Sequence, residues 1–143
     1  MKHYLLEPEV AGGLGDRTAM DASVHPPRVH ALHYEISDWL GDDLMESFPC
    51  FVVTDRLAES LGESQFGSFE LRDVDVSLTP EAEASLRTTD LPRLRWLRVT
   101  GQAGEDDLGV TGQAQLVVSE RALEALRKFT LDHCEVRPFE VTS

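Results

Sequence analysis

The chain has 143 residues, 41% of them hydrophobic and 27% charged, which are values of a folded domain and not of a disordered segment. Acidic residues outnumber Lys plus Arg by 26 to 13, and the resulting net charge of −13 disfavours nucleic acid and anionic membranes as partners while favouring a basic protein. No apolar run approaches the roughly 18 residues of a spanning helix, and MKHYLLEPEV lacks the pattern of a secretory leader, so a cytoplasmic protein is expected, with Cys50 and Cys134 as reduced core thiols.

A single domain over residues 1–143 is expected, of α+β or α/β class, with five to seven strands on a mixed sheet and about three helices. HYLLEPE reads as a short strand. The following stretch, rich in Gly, Asp, Ser and Pro, reads as a loop. Its AGGLGDRT has no GK[ST], no GxGxxG and no helix after it, so it is assigned a structural or partner-contacting role and not phosphate binding. VHALHYEI, residues 29–36, is the next strand. His25, His30 and His33 with Glu35 are the densest set of metal-ligand types, but on a strand His33 and Glu35 share one face and His30 takes the other, so no metal is assigned.

SDWLGDDLMESFP reads as a turn with a short helical turn, leading into a strand at residues 51–53. Thr54 is placed as N-cap, Asp55 beside the positive helix end, Leu57, Ala58 and Leu61 on the apolar face, and Gly62 at the stop. FGSFELRDVDVS, residues 66–77, reads as one strand whose alternation slips at Asp73, suggesting a bulge. SLTPEAEASLR is a helix capped by Thr79 and running to about Leu86, and a loop and strand follow in TTDLPRLRWLRVTG.

The next phrase is nearly a copy. LVVSERALEAL repeats FVVTDRLAESL, with Ser119 in place of Thr54, Glu120 in place of Asp55, and the Leu-Ala pair inverted to Ala122-Leu123. CEVRPFEVT then matches FELRDVDVS, with Pro138 at the position of Asp73. Residues 51–77 align with 116–142 without a gap, giving eight identities in 27 positions. With a one-residue shift the match extends upstream through LHYEI and LRVTG, which predicts two similar strand-helix-strand units over residues 32–77 and 97–142, related by a pseudo-twofold.

Thr54 and Ser119 are therefore read as caps and not as nucleophiles. There is no GxSxG, and Ser47 has no base near it, so no catalytic residue and no cofactor is assigned and the protein is read as non-enzymatic. Arg87, Arg93, Arg95 and Arg98 are taken as ion-paired in so acidic a chain. The pairs Asp42/Asp43 and Asp106/Asp107 have the composition of an acid/base pair or a Mg²⁺ site, but because both copies carry them they are read first as structural parts of the repeat and second as an acidic contact patch. The candidate partner-binding residues are Trp39, an aromatic of the kind found in binding hot spots, with its acidic neighbours Asp42, Asp43 and Glu46, and the second acidic pair, Asp106 and Asp107.

LEPEVAGGLG, LHYEISDWLGDDLMESFPCFVV and LVVSERALEAL together resemble a family of bacterial immunity proteins encoded beside polymorphic toxins and formerly classed as a domain of unknown function. The resemblance spans residues 4–139. It implies a cytosolic inhibitor that binds and neutralises a cognate toxin domain, and the charge of the chain suits a basic toxin. The alternatives are a regulatory or scaffold interaction domain of a larger assembly, or a metal-dependent enzyme built on acids and histidines.

Overall fold

The computed structural model describes residues 2–85 and 91–140. Its elements run β1 (His3–Glu7), β2 (Gly12–Leu14), β3 (Ala19–Asp21), β4 (Arg28–Ala31), β5 (His33–Ile36), β6 (Leu44–Ser47), β7 (Cys50–Thr54), α1 (Asp55–Glu63), β8 (Phe69–Arg72), β9 (Asp75–Leu78), α2 (Pro80–Ser85), β10 (Leu94–Val99), β11 (Leu108–Val110), β12 (Leu116–Ser119), α3 (Glu120–Leu126) and β13 (Glu135–Phe139). The architecture is α+β and dominated by strands. Thirteen strands among the described residues exceed the five to seven expected, because short segments such as Gly12–Leu14 become strands only by pairing with distant neighbours. The expected end of α2 at Leu86, the cluster member Arg87 and the final residues 141–142 of the second unit lie outside the described residues.

Two four-stranded sheets carry the molecule, ordered β6-β7-β10-β8 and β11-β12-β1-β13. In the first, β10 runs antiparallel to both β7 and β8, so the strands flanking α1 are parallel to each other with β10 between them. In the second, β1 does the same between β12 and β13 around α3. Both are split βαβ units. The registers correspond: Leu97 lies opposite Phe51 and Leu71, and Leu6 lies opposite Leu116 and Val136. The strand completing each sheet comes from the other half of the chain, since β1 precedes the first unit and β10 the second.

One core lies where these sheets and helices meet. Its buried residues fall at matching positions of the two halves: Leu44 and Leu108, Phe51 and Leu116, Val53 and Val118, Leu57 and Ala122, Ala58 and Leu123, Leu61 and Leu126, Leu97 and Leu6. The inverted pairs Leu57-Ala58 and Ala122-Leu123 keep the summed volume, the property that close-packed interiors hold most strictly. The guanidinium of Arg56 lies 5.6 Å from the ring of Phe129 and that of Arg121 lies 5.3 Å from the ring of Phe66, each arginine covering the aromatic that follows the other half's helix.

A second core lies on the opposite face of the first sheet, where Met45, Val52 and Trp96 pack with Tyr34 and Ile36. Tyr34 and Ile36 belong to the sheet β2-β5-β9. This double burial explains why all five residues of β7 are buried. A small hairpin, β3 with β4, completes the strands.

Several local expectations are corrected. Residues 29–36 split at Leu32 into β4 and β5, which join different sheets, and residues 66–77 split at Asp73 into β8 and β9, which also separate. The slip at Asp73 is thus a change of sheet. At Pro138 there is no slip: β13 runs through it with Tyr4 opposite Pro138 and Leu5 opposite Arg137, tolerated because β13 is an edge strand. The expected helical turn before Cys50 is β6. The upstream extension of the repeat fails at its first strand, for β5 pairs with β2 and β9 while β10 pairs with β7 and β8, but β6 and β11, which follow the acidic pairs, take matching edge places in the two sheets.

Thr54 donates its hydroxyl to Asp43 and makes no side-chain cap, whereas Ser119 donates to Asp107 and also accepts from the Ala122 amide as expected. Thr79 accepts from the Ala82 amide and caps α2. Helix α1 continues through Gly62 to Glu63. The glycine-rich loop has a packing reason. A Cβ on Gly15 would stand 2.0 Å from Nδ1 of His33, and one on Gly12 would stand 2.0 Å from the Glu35 carbonyl oxygen, so this loop lies directly on β5.

Candidate functional site

The acidic residues expected at the surface divide into two groups once placed. Asp42 and Asp43 are 0% and 1% exposed. Asp43 accepts from the Thr54 hydroxyl, from Nε of Arg56 at 2.7 Å and from the Thr130 amide at 2.8 Å. Burial alone raises its carboxyl, but the bonds from Arg56, Thr54 and Thr130 outweigh that and hold it below its ordinary value. Asp42 accepts from the amides of Asp132 at 3.0 Å and His133 at 2.8 Å. This pair therefore anchors the turn after α3 and is not an exposed charge patch.

The second pair behaves alike on a smaller scale. Asp107 accepts from the Ser119 hydroxyl and from Nε of Arg121 at 2.8 Å, and the hydrogen bond from Arg121 leads the causes that hold its carboxyl low. Asp106 accepts from the Gln102 amide at 2.7 Å and closes a turn. Asp43-Thr54-Arg56 and Asp107-Ser119-Arg121 are the same clamp in the two halves, joining the strand end to the first turn of the helix.

Trp39 is half-buried against the second core, and its Nε1 donates to the Asp42 carbonyl at 2.9 Å. It forms one wall of a cleft of about 400 Å³ shared with Gly41, Arg56, Leu91 and Pro92. The chain turns at Gly41 with φ of +108°, a left-handed conformation suited to glycine, which leaves Leu40 55% exposed. The buried Glu9 shapes this turn by accepting from the amides of Leu40 at 2.6 Å and Asp42 at 3.1 Å.

Glu46 alone of the expected acids opens onto a concave acidic face. A second cleft of about 410 Å³ is lined by Glu7, Val10, Glu46, His133 and Glu135 among others. Burial, followed by the charge of Glu7, pushes the Glu46 carboxyl up to about 7. Glu7 and Glu135 sit opposite each other on β1 and β13, and the hydrogen bond between them, followed by the charge of Glu7, raises Glu135. Like charges placed directly across strands repel, so this arrangement costs stability. Arg137 offsets part of it by pairing with Glu7 at 2.7 Å. Val10, the most exposed large apolar residue among the described residues at 68%, stands on the rim.

Glu7, Val10, His133 and Glu135 were not among the sequence candidates. They lie far apart in the chain, and only the pairing of β1 with β13 brings them together. The histidines that were considered do not converge. His33 is buried, with its Nε2 2.7 Å from the Ser77 hydroxyl and its Nδ1 accepting from the Arg17 amide. The two thiols are pushed up by burial, Cys50 to about 12 and Cys134 to about 11, which keeps them protonated and poor nucleophiles at neutral pH. Arg98 pairs with Glu70 as expected of that cluster, and Arg95 leaves its buried Nε without a partner among the described residues. No helix among the described residues is long and apolar enough to cross a membrane. The chain matches no family model, no curated protein and no solved structure.

Proposed function

We propose that this chain is a non-enzymatic, cytoplasmic inhibitor that binds a basic protein partner through the acidic cleft between β1, β6 and β13, and that the partner is a cognate bacterial toxin domain. The observation that carries the reading is the crowding of Glu7, Glu46 and Glu135 around one cleft with an apolar rim at Val10. Carboxyls raised by mutual repulsion and burial are stabilised when a partner's lysine or arginine enters, and an exposed valine beside them supplies apolar contact area. A net charge of −13 adds long-range steering toward a basic surface. We further propose that the two halves arose by duplication of one split βαβ unit, with the first strand of each copy exchanged into the other's sheet.

The test is association with the C-terminal domain encoded by the neighbouring reading frame, followed by stopped flow. Glu135→Lys and Val10→Asp, both at exposed positions, are expected to weaken the complex at least tenfold. For Glu135→Lys the loss should lie mainly in the association rate and shrink as salt is raised. A complex formed equally fast by wild type and Glu135→Lys at low salt refutes the assignment of this cleft.

A further inference from the structure

We infer that Glu9, Asp42 and His133 form a binding site for one divalent cation that accepts mixed nitrogen and oxygen ligands, of the Zn²⁺ class. One ligand atom from each of the three lies within 4.8 Å of the others, and Nδ1 of His133 stands 3.3 Å from Oδ1 of Asp42. Ligands about 2.1 Å from a tetrahedral metal lie about 3.4 Å apart, the spacing that His133 and Asp42 already have at 3.3 Å, and a closure of at most roughly 1.4 Å by Glu9 completes the first three positions of a zinc site. The imidazole selects against Mg²⁺ and Ca²⁺, which take oxygen ligands.

Charge supplies a second, separate argument. Asp43 and Asp107, the other sunken carboxylates of this region, each face an arginine. Glu9 and Asp42 are 4% and 0% exposed and lie next to each other, yet neither has a Lys or Arg at ion-pair distance among the described residues. Carboxyl groups buried side by side are costly to desolvate unless a positive charge joins them. The amides of residues 40, 42, 132 and 133 fix the orientation of both carboxylates but use only part of their lone-pair capacity. Such outer contacts are what hold ligands ready around protein-bound metals.

Access is open from one side. The imidazole of His133 is 43% exposed and lines the acidic cleft, where Glu7, Glu46 and Glu135 raise the local concentration of cations. The site joins the chain just after β1, the loop before β6 and the turn before β13, so a bound cation would fasten segments from both halves. This inference does not rest on the toxin-inhibitor reading, because it is tested on the protein alone.

The experiment is isothermal titration of the chelator-treated full chain with Zn²⁺, with Mg²⁺ as the contrasting ion, alongside thermal unfolding. Expected are one Zn²⁺ per chain, a higher unfolding midpoint with Zn²⁺, and no response to Mg²⁺. His133→Ala keeps the backbone amide that Asp42 uses, so it should fold and lose at least tenfold in Zn²⁺ affinity, while His30→Ala, at an exposed position, should leave it unchanged. Absence of saturable one-to-one Zn²⁺ binding overturns the inference. So does Zn²⁺ binding that His133→Ala leaves intact.

Discussion

Replacing Asp43 by Ala should cost about 3 kcal/mol of folding stability, and the matching Asp107→Ala about half as much. Asp43 is nearly fully buried and accepts from three groups, which behave differently once it is gone. Arg56 has a side chain 63% exposed and regains water. The Thr54 hydroxyl, in a residue 2% exposed, and the Thr130 amide lose their partner, and each buried unsatisfied donor costs about 1–3 kcal/mol. Asp107 is 15% exposed, and its neighbour Ser119 keeps its bond to the Ala122 amide. Only one hydroxyl donor is then released, for about 1–2 kcal/mol. Urea unfolding followed by the fluorescence of Trp39 and Trp96 measures both. Thr54→Val combined with Asp43→Ala should recover part of the loss, because removing both partners leaves no hydroxyl unpaired. Both carboxyls are held below their ordinary 3.8, so the stability they add is complete above about pH 4 and disappears on acidification. Asp43→Ala should therefore lose less stability than wild type as the pH falls through that window. If Asp107→Ala proves as costly as Asp43→Ala, or if Asp43→Ala costs less than 1 kcal/mol, the idea that the first clamp anchors the turn after α3 is wrong.

Glu46 should give the opposite pH dependence. Its folded midpoint of about 7 exceeds the ordinary 4.5, so the folded state holds this proton more tightly and stability falls as pH rises between those values. Because the side chain is only partly buried, the effect is about 1–2 kcal/mol, and Glu46→Gln should flatten it in unfolding curves taken at pH 5 and pH 8. Gly15→Ala should destabilise by about 1–3 kcal/mol in the same assay, since its Cβ meets the buried His33 ring, whereas Gly13→Ala, with nothing within 4 Å, should cost little. Leu97→Ala and Leu6→Ala should each cost about 3–4 kcal/mol, and nearly equal values are expected from their matching places in the two sheets.

The strand-helix phrases were legible because their information is local. The apolar runs and the helix faces of Leu57, Ala58 and Leu61 and of Ala122, Leu123 and Leu126 all lie within eleven residues of each other in each copy. What completes each sheet was not legible, since nothing in HYLLE marks it as the partner of β12 and β13 more than a hundred residues away. The structural role of the acidic pairs was legible from their presence in both copies, but their burial was not. Asp-Asp in a glycine-containing stretch has the composition of a solvated turn, and the groups that bury Asp42 and Asp43 arrive from residues 130–133. Glu46 was picked out, but its cleft partners Glu7 and Glu135 owe their meeting to a strand pairing that joins the two ends of the described chain.

The placing of β1 and β10 has a consequence for the order of assembly. Among these elements β1 is synthesised before all others, whereas its hydrogen-bonding neighbours β12 and β13 are the last two strands, so its unpaired edges and Leu6 have no native partner until both are made. The first sheet also has to wait, for β7 and β8 stay apart until β10 is inserted between them. Contacts this distant in sequence must overcome loop-closure entropy before they stabilise anything, which makes folding slow and late. Neither half is a finished unit that could fold and wait for the other, since β1 and β10 each complete a sheet whose other strands come from elsewhere in the chain.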